Sequence, residues 1–221
     1  MRRILASVVL AAFVLVSWSG CGGSNGASSA VAPTTTPTAR AIVTLVDVKA
    51  VVDVTAGGPG TWNWVGQSVT MPAGGPFDNI RFNWYTSRFN GLSPSSPTAF
   101  GTLYLLKQEY LGLPGDLSPS TPGFVARSAS ISEGQYLFAP GVTLTSGTQY
   151  WFYTDTQGDF ASSFDVSTYP DGDMYVTGYP TLAFRKAQAS WRYTPSGYII
   201  PPPGTFQDAN FRLQGSAVAT Q

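Results

Sequence analysis

An all-β fold, a two-sheet antiparallel β-sandwich of jelly-roll type, is what this sequence predicts, and three observations predict it. First, of 221 residues only 11% are charged, whereas Gly (24), Pro (17) and aromatics (14%) are plentiful. That balance suits short strands and frequent turns; long helices want Ala, Leu, Glu and Lys. Second, Ile80, Phe82 and Trp84 alternate with Asn79, Arg81, Asn83 and Tyr85 across 78–86, the pattern of a half-buried strand. Third, about nine such segments recur at the spacing of sandwich strands, with no longer period that would indicate a propeller or solenoid.

Before the sandwich comes a leader. Arg2 and Arg3 precede an apolar run from Ile4 to Val16, the charge-then-apolar order of an export signal, and the run is short for a bilayer span. The run ends at Trp18-Ser19-Gly20-Cys21, and Cys21 is the only cysteine. This resembles the lipobox of bacterial lipoproteins, with Trp18 where an aliphatic residue is usual. The resemblance implies lipidation of Cys21 and a membrane partner through that lipid. Gly22 after the cysteine implies the outer membrane in a Gram-negative host. The alternative is an ordinary secretory signal with an incidental cysteine. Residues 21–40 are then a tether, because Gly, Ser, Thr, Ala and Pro cannot bury enough surface to fold. The expected organisation is a signal peptide over 1–20, the lipidated tether over 21–40 and the β-sandwich over 41–221.

The strands follow in order. Residues 41–54 give one or two opening strands, then come 65–71, 78–86 and 99–107. Phe124 to Ser130 is expected to pair with the opening segment, and Glu133-Gly134 to turn the chain. Val142 and Leu144 point inward from a short strand. Gln149 to Asp155 holds four consecutive aromatics, Tyr150 to Tyr153, so it belongs at the centre of a sheet covered on both faces. Asp171-Gly172 is a turn leading into a strand at 173–178. Ala189 to Thr194 and Phe206 to Val218 complete the set, with Ala209, Phe211 and Leu213 inward.

Several of these segments together carry a second resemblance. Gln67-Ser68-Val69-Thr70, Gly112-Leu113-Pro114-Gly115, the run Val142 to Trp151 and the closing Asp208 to Gly215 are similar to the choice-of-anchor β-sandwich domains of exported bacterial proteins, which resemble galactose-binding jelly rolls. The likeness spans about 65–215. It implies a non-catalytic extracellular module and leaves the ligand open.

Composition narrows the chemistry. With Arg2 and Arg3 in the leader, ten basic residues face twelve acidic ones and no basic cluster stands ready for phosphates, so nucleic acid is not an expected partner. The chain has no histidine, and hence neither the commonest general base nor the commonest metal ligand. A serine nucleophile lacks a base and a Gly-x-Ser-x-Gly elbow. Glycan hydrolysis needs two flanking carboxyls; Glu109 and Glu133 lie beside loops in no such pattern, which leaves a glycan hydrolase the remotest reading. The chain therefore reads as a non-enzyme with no catalytic residues and no required cofactor. Asp159, Asp165, Asp171 and Asp173 offer oxygen ligands for a structural calcium, although Asp and Gly are also ordinary turn formers.

What remains is binding. The aromatics of the second half, Tyr169, Tyr175, Tyr179, Trp191, Tyr193 and Tyr198, offer a platform for sugar rings, with Asp171, Asp173 and Arg192 as polar partners. Tyr169, Asp171, Asp173, Tyr179, Trp191 and Tyr193 are the expected ligand-binding set, and Trp62 with Trp64 forms a second candidate pair. Sandwiches also use such aromatics as core. A surface glycan or a surface protein is the expected partner, at the cell envelope.

Overall fold

The computed structural model describes residues 40–49, 64–86, 96–162, 169–177, 182–188, 192–194, 197–199, 204 and 206–218. The leader, Cys21 and the tether up to residue 39 lie outside them, as do Trp62, Asp165, Tyr179 and Trp191. Among the described residues the chain forms β1 (Val43–Val48), β2 (Val65–Thr70), β3 (Phe77–Tyr85), β4 (Pro97–Thr98), β5 (Leu103–Leu106), β6 (Phe124–Ser132), β7 (Gln135–Phe138), β8 (Gln149–Thr154), β9 (Met174–Thr177), β10 (Phe184–Lys186), β11 (Arg192–Thr194), β12 (Gly197–Ile199) and β13 (Phe211–Ala217). The only helical element among them is a short 3-10 turn at Pro114–Asp116.

Pairing runs continuously through β1-β13-β3-β7-β6-β5-β8-β2-β9-β10, all antiparallel, with β4 on the side of β3. Strand β6 divides this run in two. Its first half pairs with β5 and its second half with β7, with a register irregularity in each. A strand that changes sheets through bulges makes the corner of a sandwich. One sheet is then β1-β13-β3-β7 and the other β6-β5-β8-β2 extended by β9 and β10. With the eight principal strands renumbered along the chain, the orders are 1-8-3-6 and 2-7-4-5, the double Greek key of a jelly roll.

The two sheets meet through aromatic rings. Phe82 of β3 stacks on Phe152 of β8 at 4.7 Å between centroids, and Phe138 of β7 meets Phe152 edge-on at 6.3 Å. Phe211 of β13 stacks on Phe82 at 5.5 Å. Val65, Val69, Leu103, Leu105, Tyr150 and Met174 complete the core from the second sheet. Full burial of a ring such as Phe152 stabilises by roughly 2–3 kcal/mol.

Three expectations need correction. Strand β6 does not pair with the opening segment; β1 pairs with β13 instead, and β6 joins the sheets. Strand β3 is not half-buried along its whole length, since Asn83 and Tyr85 are as buried as Phe82. Lys49 and Arg212 sit over the Tyr85 ring at 5.0 and 5.6 Å, and the Tyr85 hydroxyl donates to Asp47 at 2.6 Å. The segment around Val142 and Leu144 is no strand: Leu144 is buried but makes only a single bridge to Phe77. Strand β8 does lie centrally, between β5 and β2.

Candidate functional site

Strict alternation on β8 sends Tyr150 and Phe152 into the core and Trp151 and Tyr153 to the outer face of the second sheet. The register aligns Lys186, Tyr175, Gly66, Tyr153 and Tyr104 in one row across five strands. Gly66 is required in that row, because a Cβ there would fall inside the Tyr153 ring. Tyr104, Leu106, Tyr153, Tyr175, Phe184 and Leu117 make a second apolar cluster, and Trp64, Tyr110, Phe124 and Trp151 pack half-buried against it.

The loop from β5 to β6 crosses this face, tied to the sheet at two points and braced internally at a third. The Tyr110 amide donates to the Tyr153 hydroxyl at 3.1 Å, and the Tyr110 hydroxyl donates to the Leu113 carbonyl at 2.8 Å. The Phe184 amide donates to the Gly112 carbonyl at 3.0 Å. So fastened, the loop brings Glu109 to Tyr175, whose hydroxyl donates to Glu109 Oε1 at 2.8 Å. The same hydroxyl accepts from Trp151 Nε1 at 3.1 Å. An indole, a phenol and an exposed carboxylate are thus linked in a line.

Beside this line stands an ion pair. Lys186 Nζ lies 2.8 Å from Asp173 Oδ2. The Asp173 amide donates to Ser68 Oγ at 2.8 Å. Gly172 permits that approach, since a Cβ on it would overlap the Ser68 carbonyl. The hydrogen bond to Asp173 holds the Lys186 ammonium above its ordinary pKa. Burial, reinforced by the Glu109 and Asp173 carboxylates, pushes the Tyr175 phenol well up, so it is a neutral donor at any ordinary pH. The face therefore presents a half-buried indole, two carboxylates and one ammonium, held in place from beneath by the buried Tyr153 and Tyr175.

The chain matches no protein-family model, no curated protein and no solved structure. No role is inherited from a relative, so the residues are weighed by their surroundings.

Of the expected ligand set, Asp173 alone among the residues whose side chains are described joins this face. Tyr169 belongs to the core: its ring meets Phe211 edge-on at 5.6 Å, its hydroxyl donates to the Thr70 carbonyl at 3.1 Å, and its amide donates to Asp208 at 2.8 Å. Burial first, and then the Asp171 charge, push its phenol up to about 12. A buried ring has no face to offer a sugar, so Tyr169 leaves the platform. Asp208 also accepts from Gln67 Nε2 at 3.2 Å, and this buried clamp ties the Tyr169 segment to β2. Asp171 is exposed at its turn, and its carbonyl accepts from Thr70 Oγ1 at 2.8 Å. The Tyr193 backbone pairs with Tyr198 in the β11–β12 hairpin. Tyr179 and Trp191 lie outside the described residues, and so does Trp62 of the second pair. Trp64 is half-buried, its Nε1 donating to the Asp155 carbonyl at 2.9 Å.

For the calcium expectation, no group of three or more metal-ligating side chains gathers among the described residues. Glu133 sits in the β6–β7 turn with φ of 52°, whereas Glu109 lies over the second sheet. Residues that sequence reasoning left out of the site are Trp151, Glu109 and Lys186. For Trp151 the signal was present: with Tyr150 and Phe152 inward, alternation puts Trp151 outward. Glu109 and Lys186 arrive from a loop and a short edge strand, and no local pattern links them.

Proposed function

We propose that this protein is an exported, lipid-anchored cell-envelope component whose β-sandwich binds carbohydrate on the outer face of its second sheet without transforming it. The observation that carries the reading is the line Trp151–Tyr175–Glu109 beside the Asp173–Lys186 pair. Sugar recognition wants an apolar ring for the C–H face and polar groups held at fixed positions for the hydroxyls, and both are combined here. The lipobox-like Ser19-Gly20-Cys21 and the Gly/Ser/Thr/Pro tether supply the anchor in this reading, and the likeness to choice-of-anchor domains agrees with it.

The test is direct titration of the full chain with the glycans it selects from an array, comparing Trp151→Ala and Glu109→Gln with the parent. Loss of about tenfold or more in affinity in either variant, with the fold retained by circular dichroism, supports the reading. Binding that ignores both substitutions overturns it.

A second reading, an adhesive protein whose partner is another protein, draws on a different observation. Leu111, Leu113 and Leu182 are 54%, 44% and 49% exposed, and the backbone bond from Phe184 to Gly112 brings their segments together. Recovery of one stable protein partner that is lost in Leu111→Ser with Leu113→Ser, combined with no glycan bound, favours it.

A further inference from the structure

On the opposite sheet a cavity of about 150 Å³ is lined by Ile42, Asn79, Ile80, Arg81, Leu137 and Phe138. Its origin is a bulge in β3. Gln214 of β13 pairs with Arg81 and Ser216 with Asp78, so the single residue Gly215 stands opposite both Asn79 and Ile80. Asn79 absorbs the extra length in the left-handed region, at φ of 50°, which Asn tolerates better than most residues. Gly215 fits the bulge closely, since a Cβ on it would lie 3.0 Å from the Asp78 carbonyl and 3.1 Å from Ile80 Cδ1. On the other side, β7 pairs with β3 only at Tyr136 and Leu137, and the recess opens beyond that last pair.

The apolar part of the wall comes from Ile42, Ile80, Leu137 and Phe138, and a comparable part is polar, with Asn79 and one cation among its side chains. Arg40 forms an ion pair with Asp78, which also accepts from Asn79 Nδ2 at 3.3 Å, so the nearby carboxylate is already compensated. Arg81 is half-buried and makes no hydrogen bond or ion pair with any described residue. Its forked donors match a carboxylate. About 150 Å³ is room for a benzene-sized body.

We propose that this cavity binds a compact organic carboxylate, its carboxyl group on Arg81 and its apolar body against Ile42, Leu137 and Phe138. The inference is independent of the sugar-binding reading, which concerns the other sheet. Bare phosphate or sulfate fits poorly, because either would leave the apolar walls without a partner.

Titration of the full chain with benzoate, isovalerate and the neutral isostere benzamide, followed by backbone amide NMR shifts, tests it. Saturable benzoate binding that moves the Asn79 and Leu137 amides, at least about tenfold tighter than benzamide, is expected. Arg81→Gln lowers benzoate affinity by about tenfold or more, Ile42→Trp abolishes it by filling the recess, and Trp151→Ala leaves it unchanged. Equal binding of benzoate and benzamide, binding indifferent to Arg81→Gln, or no binding of either carboxylate overturns the proposal.

Discussion

The two faces of β8 carry the same kind of residue and lead different lives. Tyr150 and Phe152 are sealed by the opposite sheet, whereas Trp151 and Tyr153 are covered only by a loop of the same sheet's own making. Inside, Phe152 meets only other hydrocarbon and the Tyr150 hydroxyl accepts one bond, from the Thr145 amide at 3.1 Å. Outside, the rings end in a linked set of groups that donate and accept: Trp151 to Tyr175, Tyr175 to Glu109, Tyr153 from Tyr110. A packed sheet removes aromatic surface from water. The loop and its neighbours bury Tyr153 and Tyr175 as completely but leave Trp151 half-exposed beside the exposed Glu109, which is where this face is both apolar and hydrogen-bonding.

That contrast is sharpest in its energetic consequences. Phe152→Ala empties a site that is fully buried between two sheets and should cost about 3–5 kcal/mol in chemical denaturation. Gly66→Ala forces a methyl into the Tyr153 ring and should cost about 1–3 kcal/mol, on the outer face alone. A cost near zero there would mean that the Tyr153 ring swings away and that the outer cluster is loosely packed. Tyr175→Phe removes the hydroxyl shared by Trp151 and Glu109; about 1 kcal/mol of stability should go with it, because both partners can turn to water. If the loss approaches that of Phe152→Ala, the two faces do not differ as argued.

The smallest effect concerns pH. Tyr169 has its folded pKa raised to about 12, against roughly 10 in the unfolded chain. Its contribution is therefore complete below pH about 10 and is lost as pH rises through about 12. Tyr169→Phe should make the alkaline fall in the urea midpoint shallower across that window. Several other buried tyrosines remain to titrate, among them Tyr136 and Tyr153, so the fall should not vanish.

Much of the fold was legible locally: β2, β3 and β8 were placed to within about one residue at each end, β3 from its period of two and β8 from its run of aromatics. Strand β13, by contrast, was drawn from Phe206 although it begins at Phe211. The switch of β6 between sheets was not, because a bulge at Ser128–Ser130 leaves no mark in hydrophobic pattern. The candidate site was half legible. Asp173 was singled out as a sugar-binding partner, whereas Trp151 was read only as part of a central strand covered on both faces. Tyr169 misled because an aromatic beside a Pro-Asp-Gly turn reads as exposed, whereas long-range bonds to Thr70 and Asp208 bury it. Glu109 and Lys186 meet Tyr175 across 66 and, by way of Asp173, 13 residues of chain, and such meetings are set by register.

Carbohydrate binding by the outer face of the second sheet through Trp151 and Glu109 is the function proposed here. Titration of the full chain with array-selected glycans, against Trp151→Ala and Glu109→Gln, addresses it most directly. Saturable binding that falls by about tenfold or more in at least one variant, while the fold is unchanged, is expected. Equal affinity in all three proteins, or no glycan bound by the parent, would contradict it.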